Sequence, residues 1–183
     1  ARATTKALKS PLARKILIWE RLRQPDPNAS FAEIADFMAA NPDWPDQNKL
    51  QRRAEEAITD KTPSVAVLTW FKERRPLSGD GKARFGEALL ASDLTQEGQA
   101  AIRDAWINGN FTKNRERAFY KRHRRMLSGA DHRRRLDRLQ WDGKYWPVRR
   151  MLWKVPPEYR ALGVAKQFLR YRRGNVDTAI AKV

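Results

Sequence analysis

The stretch that decides the fold is SFAEIADFMAANPDWPDQNKLQRRAEEAI, residues 30–58, because it predicts two helices joined by a tight corner. Ser30 is a favourable N-cap residue, and Glu33 three positions later completes a capping box. Pro42 ends the first helix, since the residue before a proline avoids the α region. Asp46 can cap the second helix. The stretch therefore predicts a helical hairpin.

Each helix of this hairpin carries an apolar stripe at helical spacing. The stripes are Phe31, Ile34 and Met38 in the first helix and Leu50, Ala54, Ala57 and Ile58 in the second. A single hairpin cannot bury both stripes by itself. The pattern therefore predicts further helices packed on either side.

Helix starts recur along the chain at a steady interval. The caps Ser30, Thr62, Thr95 and Ser128 are 32, 33 and 33 residues apart, and the return starts Asp46, Ser78, Thr112 and Lys144 are 32, 34 and 32 apart. Such a period is typical of stacked helix pairs. We predict an all-α fold, a right-handed solenoid of about five helical hairpins in one domain over residues 1–183. Its superhelix would be similar to that of tetratricopeptide proteins, although that repeat's consensus is not evident.

Four segments together resemble a known family. FAEIADFMAANPDWPDQNKLQRRAEEAI, PLSGDGKARFGEALL, ADHRRRLDRLQWDGKYWPVRRML and VPPEYRALGVA follow one another over roughly residues 30–170. In this order they are similar to the early part of the superhelical, U-shaped domain of soluble lytic murein transglycosylases. The resemblance implies an all-helical scaffold within a periplasmic enzyme that cleaves the MurNAc–GlcNAc bond of peptidoglycan and forms 1,6-anhydro-MurNAc.

The resemblance also implies where the chemistry of such an enzyme lies. Lytic transglycosylases of this type carry their acid in a lysozyme-like C-terminal domain, with a Glu-Ser pair and a downstream Gly-Leu-Met-Gln segment. Neither motif occurs in these 183 residues. We therefore expect no catalytic residue, no cofactor and no lytic activity from this chain alone. The implied partners are peptidoglycan and the rest of the transglycosylase chain.

Composition narrows the possible classes of protein. Hydrophobic residues make up 41% and charged residues 32%, which is compatible with a folded domain. Cysteine is absent, so disulfides and thiolate metal sites are excluded. The longest near-apolar run, residues 65–71, is far shorter than the ~20 residues of a membrane span. No signal peptide is recognisable at the start of the sequence, and for a periplasmic protein we expect that it was removed or lies before the first residue.

The titratable residues give no catalytic or metal-binding pattern. His123 and His132 fall on apolar stripes and are interpreted as core or edge residues, because zinc would need several converging ligands. Glu55 and Glu56 point about 100° apart on a helix and cannot both face one substrate. Glu73, Glu87, Glu97 and Glu116 lie among basic residues and are interpreted as surface ion-pair partners.

Positive charge is concentrated in the last third of the chain. Residues 112–173 hold 20 Lys+Arg against 5 Asp+Glu, a net of +15 within a total of +17. Such density favours a polyanionic partner, but a solvated basic face would give the same composition. Aromatic residues interleave with the charge, and Trp141, Tyr145 and Trp146 near the turn at Gly143 are the best candidates for exposed rings.

The tentative glycan-binding residues are Arg134, Arg138, Trp146, Arg149 and Arg150. We predict that they lie outside the apolar stripes and hold anionic glycan by charge and ring stacking. Two functions remain open at this point: a non-catalytic scaffold that holds cell-wall glycan, or a basic helical module that binds nucleic acid or another protein. The resemblance favours the first.

Overall fold

A computed structural model of the protein describes residues 10–25 and 28–183, which form eleven α-helices and two 3₁₀ turns and contain no strand. The helices are α1 Pro11–Leu22, α2 Phe31–Ala40, α3 Gln47–Ala57, α4 Ser64–Phe71, α5 Gly79–Ala91, α6 Thr95–Asn108, α7 Lys113–His123, α8 Gly129–Trp141, α9 Tyr145–Met151, α10 Pro157–Arg170 and α11 Val176–Ile180. The 3₁₀ turns, Arg124–Met126 and Leu152–Lys154, extend α7 and α9. The prediction of an all-α fold is confirmed.

The predicted helix starts agree with the structure to within a residue, but two predicted caps are wrong, since Pro63 and not Thr62 precedes α4, and Thr95 is itself the first residue of α6. Ser30, Ser78, Thr112 and Ser128 each accept a hydrogen bond from a backbone N–H of the helix that follows. Asp46 occupies the N-cap position of α3, but its side chain does not cap the helix. Instead, its carboxylate accepts a 2.7 Å hydrogen bond from Arg23. The predicted start is therefore right, and the predicted capping role of Asp46 is wrong.

The described chain divides into two compact units, a first unit that ends at Gly98 and a second unit over Gln99–Val183. The prediction of one continuous domain stays a prediction. In the first unit, α2 packs on α3, α4 packs on α5, and α3 also contacts α5. The pair of α2 and α3 is the hairpin that residues 30–58 predicted, and the pair of α4 and α5 agrees with the spacing of the later helix starts.

The core of the first unit is built from the predicted stripes. Ile34, Met38, Leu50, Ala54 and Ile58 are all buried in it. Burying each of the larger of these side chains stabilises the fold by about 1.5–3 kcal/mol.

The shortest helix of the first unit differs from the prediction. Most of it is the near-apolar run of residues 65–71, which spreads large apolar side chains around the helix and favours burial between neighbours. In α4, Val67, Trp70 and Phe71 are buried, but Val65 is 73% exposed. Helix α4 therefore has a solvent face, because α5 and the rest of the core cover only one side of it.

In the second unit, α8 packs on α9 and α10, and α10 packs on α11. The buried side chains include Ile102 and Trp106 of α6, Leu136 and Leu139 of α8, and Met151 of α9. Gly163 lets α10 approach the 3₁₀ turn Leu152–Lys154 closely, since a β-carbon at this position would clash with the Leu152 side chain. Among the described residues, no helix is both long enough and apolar enough to cross a membrane.

Candidate binding surface on the second unit

A buried ion-pair network lies beneath the basic surface. Glu116 of α7 is buried and accepts hydrogen bonds from Arg135 Nη2 at 3.1 Å and from Arg150 Nε and Nη2 at 2.9 and 3.0 Å. The sequence had indicated a surface ion pair for Glu116. The pairing is confirmed, but the surface position is wrong, because α8 and α9 each direct an arginine at this carboxylate.

Arg135 is 1% exposed and is held on several sides. Its guanidinium carbon lies 4.4 Å from the centroid of the Trp106 ring, and its Nη1 donates to the carbonyl oxygens of Trp106 and Gly109. Burial lowers the pKa of Arg135 to about 10, and the nearby Glu116 carboxylate opposes this shift. The group therefore stays charged at neutral pH, and its positive charge interacts with groups inside the fold and not with a ligand at the surface.

Arg138 is also turned inwards, towards the end of α6. Its Nε donates to the Ile107 carbonyl at 2.9 Å and its Nη2 to the Gly109 carbonyl at 3.0 Å. Its Nη1 also pairs with Asp142 at 2.9 Å. Carbonyl groups at a helix C-terminus lack intrahelical partners and carry partial negative charge. Arg135 and Arg138 together satisfy these groups.

The two histidines lie in packed surroundings, as the sequence indicated. His123 is buried, with its ring centroid 4.8 Å from that of Phe119. His132 is half-buried and accepts a hydrogen bond at Nδ1 from the Trp106 indole N–H at 3.0 Å. Burial, and to a lesser degree the positive charge of Lys154, lowers the pKa of His132. The neutral ring is the form that this contact requires.

The other buried glutamate, Glu55, lies in the first unit and has a structural role. Its carboxylate accepts hydrogen bonds from the backbone N–H groups of Leu77 and Ser78, from the Ser78 hydroxyl and from the Gln51 amide. A β-carbon at Gly81 would clash with it. Glu55 is thus fully occupied in holding the start of α5. Its neighbour Glu56 is exposed and pairs with Arg53, so the two carboxylates do point apart.

The five predicted glycan-binding residues separate into an outward and an inward set. Arg134, Trp146 and Arg149 are exposed. Arg138 and Arg150 are partly buried, and their guanidinium groups donate hydrogen bonds to internal partners. They are therefore less accessible to a ligand than the outward set. Sequence spacing placed Arg138 on an outer face, but the carbonyls at the end of α6 draw it back against the fold.

Three tryptophans of the second unit are exposed to solvent. Trp141 is 87% exposed, Trp146 66% and Trp153 76%. The expectation that Trp141 and Trp146 escape the core is confirmed. Tyr145, the third candidate, is only partly exposed and packs edge-on against Trp146 and Tyr171. Trp153 was not among the candidates and is exposed as well. Tryptophan is enriched at interfaces, because its ring combines a large apolar surface with a polar N–H. These three rings are the clearest sign of a binding surface on this unit.

A first groove, the tryptophan groove, lies between α8 and α10 and has a volume of about 530 Å³. Trp141 stands at its edge, and Lys144, Lys166 and Arg170 supply positive charge. The only acidic residue in its described lining is Asp137, 3.8 Å from Lys166. This lining combines a flat ring with a net positive charge.

The turn beside Trp141 is fixed from α10. Gly143 adopts a positive φ of 67°, a conformation that glycine tolerates best. The Tyr171 hydroxyl donates to the Gly143 carbonyl at 3.1 Å, and Arg170 donates to the Gln140 carbonyl at 3.3 Å. These contacts hold the end of α8 in place, and Trp141, whose ring is exposed, is the last residue of that helix.

A second groove, the arginine groove, lies between α9 and α10 and has a volume of about 440 Å³. Arg149, Arg160 and Arg173 line it, together with Trp153 and Tyr145. No Asp or Glu is among its described lining residues. Of the three arginines, only Arg149 had been singled out from the sequence.

The remaining residues of the two grooves were missed for a definable reason. Arg160, Lys166, Arg170 and Arg173 lie on α10 or just after it, far in sequence from Arg149. They come together only because α10 packs along α8 and next to the end of α9. The charge run at residues 112–173 signalled the region, but the pairing of helices selects the residues.

The described residues contain no group of three or more His, Cys, Asp or Glu side chains that could hold a metal ion. No family model, curated protein or solved structure matches the chain. The function must therefore be argued from the two grooves and the exposed tryptophans.

Proposed function

We propose that this chain is a non-catalytic helical scaffold that holds peptidoglycan, as part of a periplasmic lytic transglycosylase. The observation that carries the proposal is the presence of three exposed tryptophans, Trp141, Trp146 and Trp153, in the same unit as most of the net positive charge. A glycan strand with acidic peptides needs both kinds of contact.

The chemistry of the ligand matches these side chains. One face of a pyranose ring presents C–H groups, which pack against the electron-rich face of an indole. The carboxylates of the stem peptides can accept hydrogen bonds from guanidinium and ammonium groups. The tryptophan groove offers both, since Lys144, Lys166 and Arg170 accompany Trp141. The outward site residues Arg134, Trp146 and Arg149 belong to the same proposal.

The scaffold itself is proposed to be a right-handed solenoid of about five helical hairpins. The recurrence of caps at 32 to 34 residues supports this arrangement, as do the hairpin contacts of α2 with α3, α4 with α5, and α8 with α9. Stacked hairpins repeat their outward faces at regular intervals, which suits a linear polymer as a ligand.

Co-sedimentation with purified cell-wall sacculi tests the proposal. The variant Trp141→Ala/Trp146→Ala should lower the retained fraction at least fivefold at about physiological salt. The matched control is Leu12→Ala/Val65→Ala, which removes two exposed apolar side chains from the first unit. The control should retain the parent's binding. Equal retention of parent and tryptophan variant, or no retention of either, contradicts the proposal.

Nucleic-acid binding is the second candidate, because Lys121, Arg124 and Arg125 are exposed at the end of α7. DNA would adhere to such a surface at low salt whatever the function, so the comparison belongs at physiological salt. Tight DNA binding under those conditions, without retention on sacculi, would favour this candidate over the cell wall.

The scaffold is expected to be inactive on its own. Incubation of the purified chain with sacculi should release no 1,6-anhydro muropeptides. Release that persists through purification and is abolished by changing one carboxylate would contradict a non-catalytic role.

A further inference from the structure

The arginine groove has a stronger and more uniform charge than the tryptophan groove. Arg149, Arg160 and Arg173 bring three positive charges together with no acidic residue among its described lining residues. Like charges in one cleft repel each other, and low-dielectric walls strengthen the field within the cleft. The arrangement is therefore stabilised by an anion.

Two of the three guanidiniums are held in position by aromatic rings. Arg160 lies over Trp153 at 4.6 Å from the ring centroid, and its Nε donates to the Leu152 carbonyl at 2.9 Å. Arg173 donates to the Tyr145 hydroxyl at 3.4 Å. Such contacts reduce the rotamer entropy that is lost when a ligand binds. Arg149, in contrast, is exposed and extends from α9 at the same groove.

The floor of the groove is apolar and is formed in part by Leu152, Val164 and Phe168. A ligand that fits must therefore combine carboxylates or other anionic groups with short aliphatic parts. An acidic peptide of a few residues has this character. The backbone of a nucleic-acid duplex does not, since it presents phosphates on a convex surface without apolar groups to fill a floor.

We infer that the arginine groove binds the carboxylates of a short acidic peptide, the stem peptide that branches from the glycan strand. The identity of the peptide rests on the proposed function, whereas the preference for carboxylates rests on the groove itself. Arg149 and Arg173 are the cations that contact the ligand from the rim, and Arg160 supports the field from its place on Trp153. The tryptophan groove would then contact sugar rings while the arginine groove contacts the peptide.

Calorimetric titration with soluble muropeptides, released from sacculi by a muramidase, tests this inference. The comparison ligand is the same muropeptide fraction after its carboxylates have been converted to methylamides. The parent protein should bind the amidated ligand at least tenfold more weakly. Equal affinity for the two ligands would overturn the inference.

The protein arm of the experiment uses two matched double variants. Arg149→Gln/Arg173→Gln removes two charges from the groove and should weaken muropeptide binding at least tenfold. Arg117→Gln/Lys121→Gln removes two charges from exposed positions outside its lining and should stay within twofold of the parent. All four residues are exposed, so both variants should fold, which circular dichroism checks. Equal losses in the two variants, or no loss in the groove variant, would overturn the inference.

Failure of the groove and failure of the proposed function give different results. If the parent is retained on sacculi and Arg149→Gln/Arg173→Gln does not weaken muropeptide binding, the proposed function is supported and the role of the arginine groove is contradicted. Binding of muropeptides that depends on the groove, without retention on sacculi, supports the role of the groove and contradicts the proposed function. If single-stranded DNA displaces bound muropeptides at physiological salt at a lower concentration than free muropeptides do, the choice of a peptide as the ligand would be overturned.

Discussion

The two units each bury one glutamate on a hairpin helix but stabilise its charge in opposite ways. Glu55, in the first unit, is surrounded by neutral donors at the start of α5, where the helix supplies backbone N–H groups. Glu116, in the second unit, is held by the guanidiniums of Arg135 and Arg150. The first unit therefore needs no cation in its core. The second unit uses part of its large positive charge as internal structure.

This difference changes how a basic sequence should be interpreted. A net charge of +15 over residues 112–173 suggests a uniform basic surface. In the structure, Arg135, Arg138 and Arg150 are directed at Glu116 or at the carbonyls that end α6. The cations that can meet a ligand are a smaller set, of which some line the two grooves and others, such as Lys121 and Arg134, are exposed outside them. Charge density identified the region, but helix packing sorts the charges into inward and outward sets.

The largest effect is expected from Glu116→Gln. This change leaves Arg135 buried without its anionic partner, which should lower the free energy of unfolding by about 3–5 kcal/mol. Urea unfolding followed by circular dichroism measures it. The control is Glu158→Gln on the exposed side of α10, which should change stability by less than about 0.5 kcal/mol. If Glu116→Gln also stays within that margin, the network does not stabilise the second unit.

A smaller effect is expected from the matching change Glu55→Gln in the first unit. An amide keeps one acceptor oxygen for the Leu77 and Ser78 N–H groups, but its own N–H₂ then faces donors. We expect a loss of about 1–3 kcal/mol in the free energy of unfolding, because no buried cation is left unpaired. A loss larger than that of Glu116→Gln would reverse the contrast between the two units.

The sequence predicts contacts between residues that are close together in the chain, but not contacts between residues that are far apart in it. The caps at Ser30, Ser78, Thr112 and Ser128 are local hydrogen bonds, so the residue types alone locate the helices. The inward turn of Arg138 was not predictable in this way. It depends on carbonyl groups about 30 residues earlier in the chain, which become neighbours only after folding.

The same reasoning separates the parts of the candidate site. Trp141 and Trp146 could be identified because they flank a glycine turn, where helix stripes no longer bury large rings. The arginine groove could not be identified, since Arg149 and Arg173 are brought together by the packing of α10 against the 3₁₀ turn that follows α9. Periodicity predicts the face of one helix, but it does not predict which helix will lie opposite.

The smallest expected effect is a pH dependence from the Trp106–His132 contact. Burial lowers the pKa of His132 in the folded state below its ordinary value of 6.5, so at mildly acidic pH the unfolded chain binds the extra proton more readily. Stability from this group is therefore present above pH ~6.5 and is lost as the pH falls from there towards the folded-state pKa.

Melting temperatures of the parent and of His132→Gln between pH 5 and 8 measure this dependence. The parent should lose more stability than the variant as the pH falls below 6.5. Parallel curves would show that the folded and unfolded chains protonate His132 alike.

The central claim is that the basic residues of the second unit divide into an inward set that stabilises the fold and an outward set that binds the cell wall. Retention on sacculi at about physiological salt tests it with two double variants that each remove two positive charges. Arg134→Gln/Arg149→Gln should lower retention severalfold, whereas Arg138→Gln/Arg150→Gln should retain the parent's binding under conditions in which it is folded. Equal losses of retention in the two variants, or a loss only in the inward pair, would contradict the account.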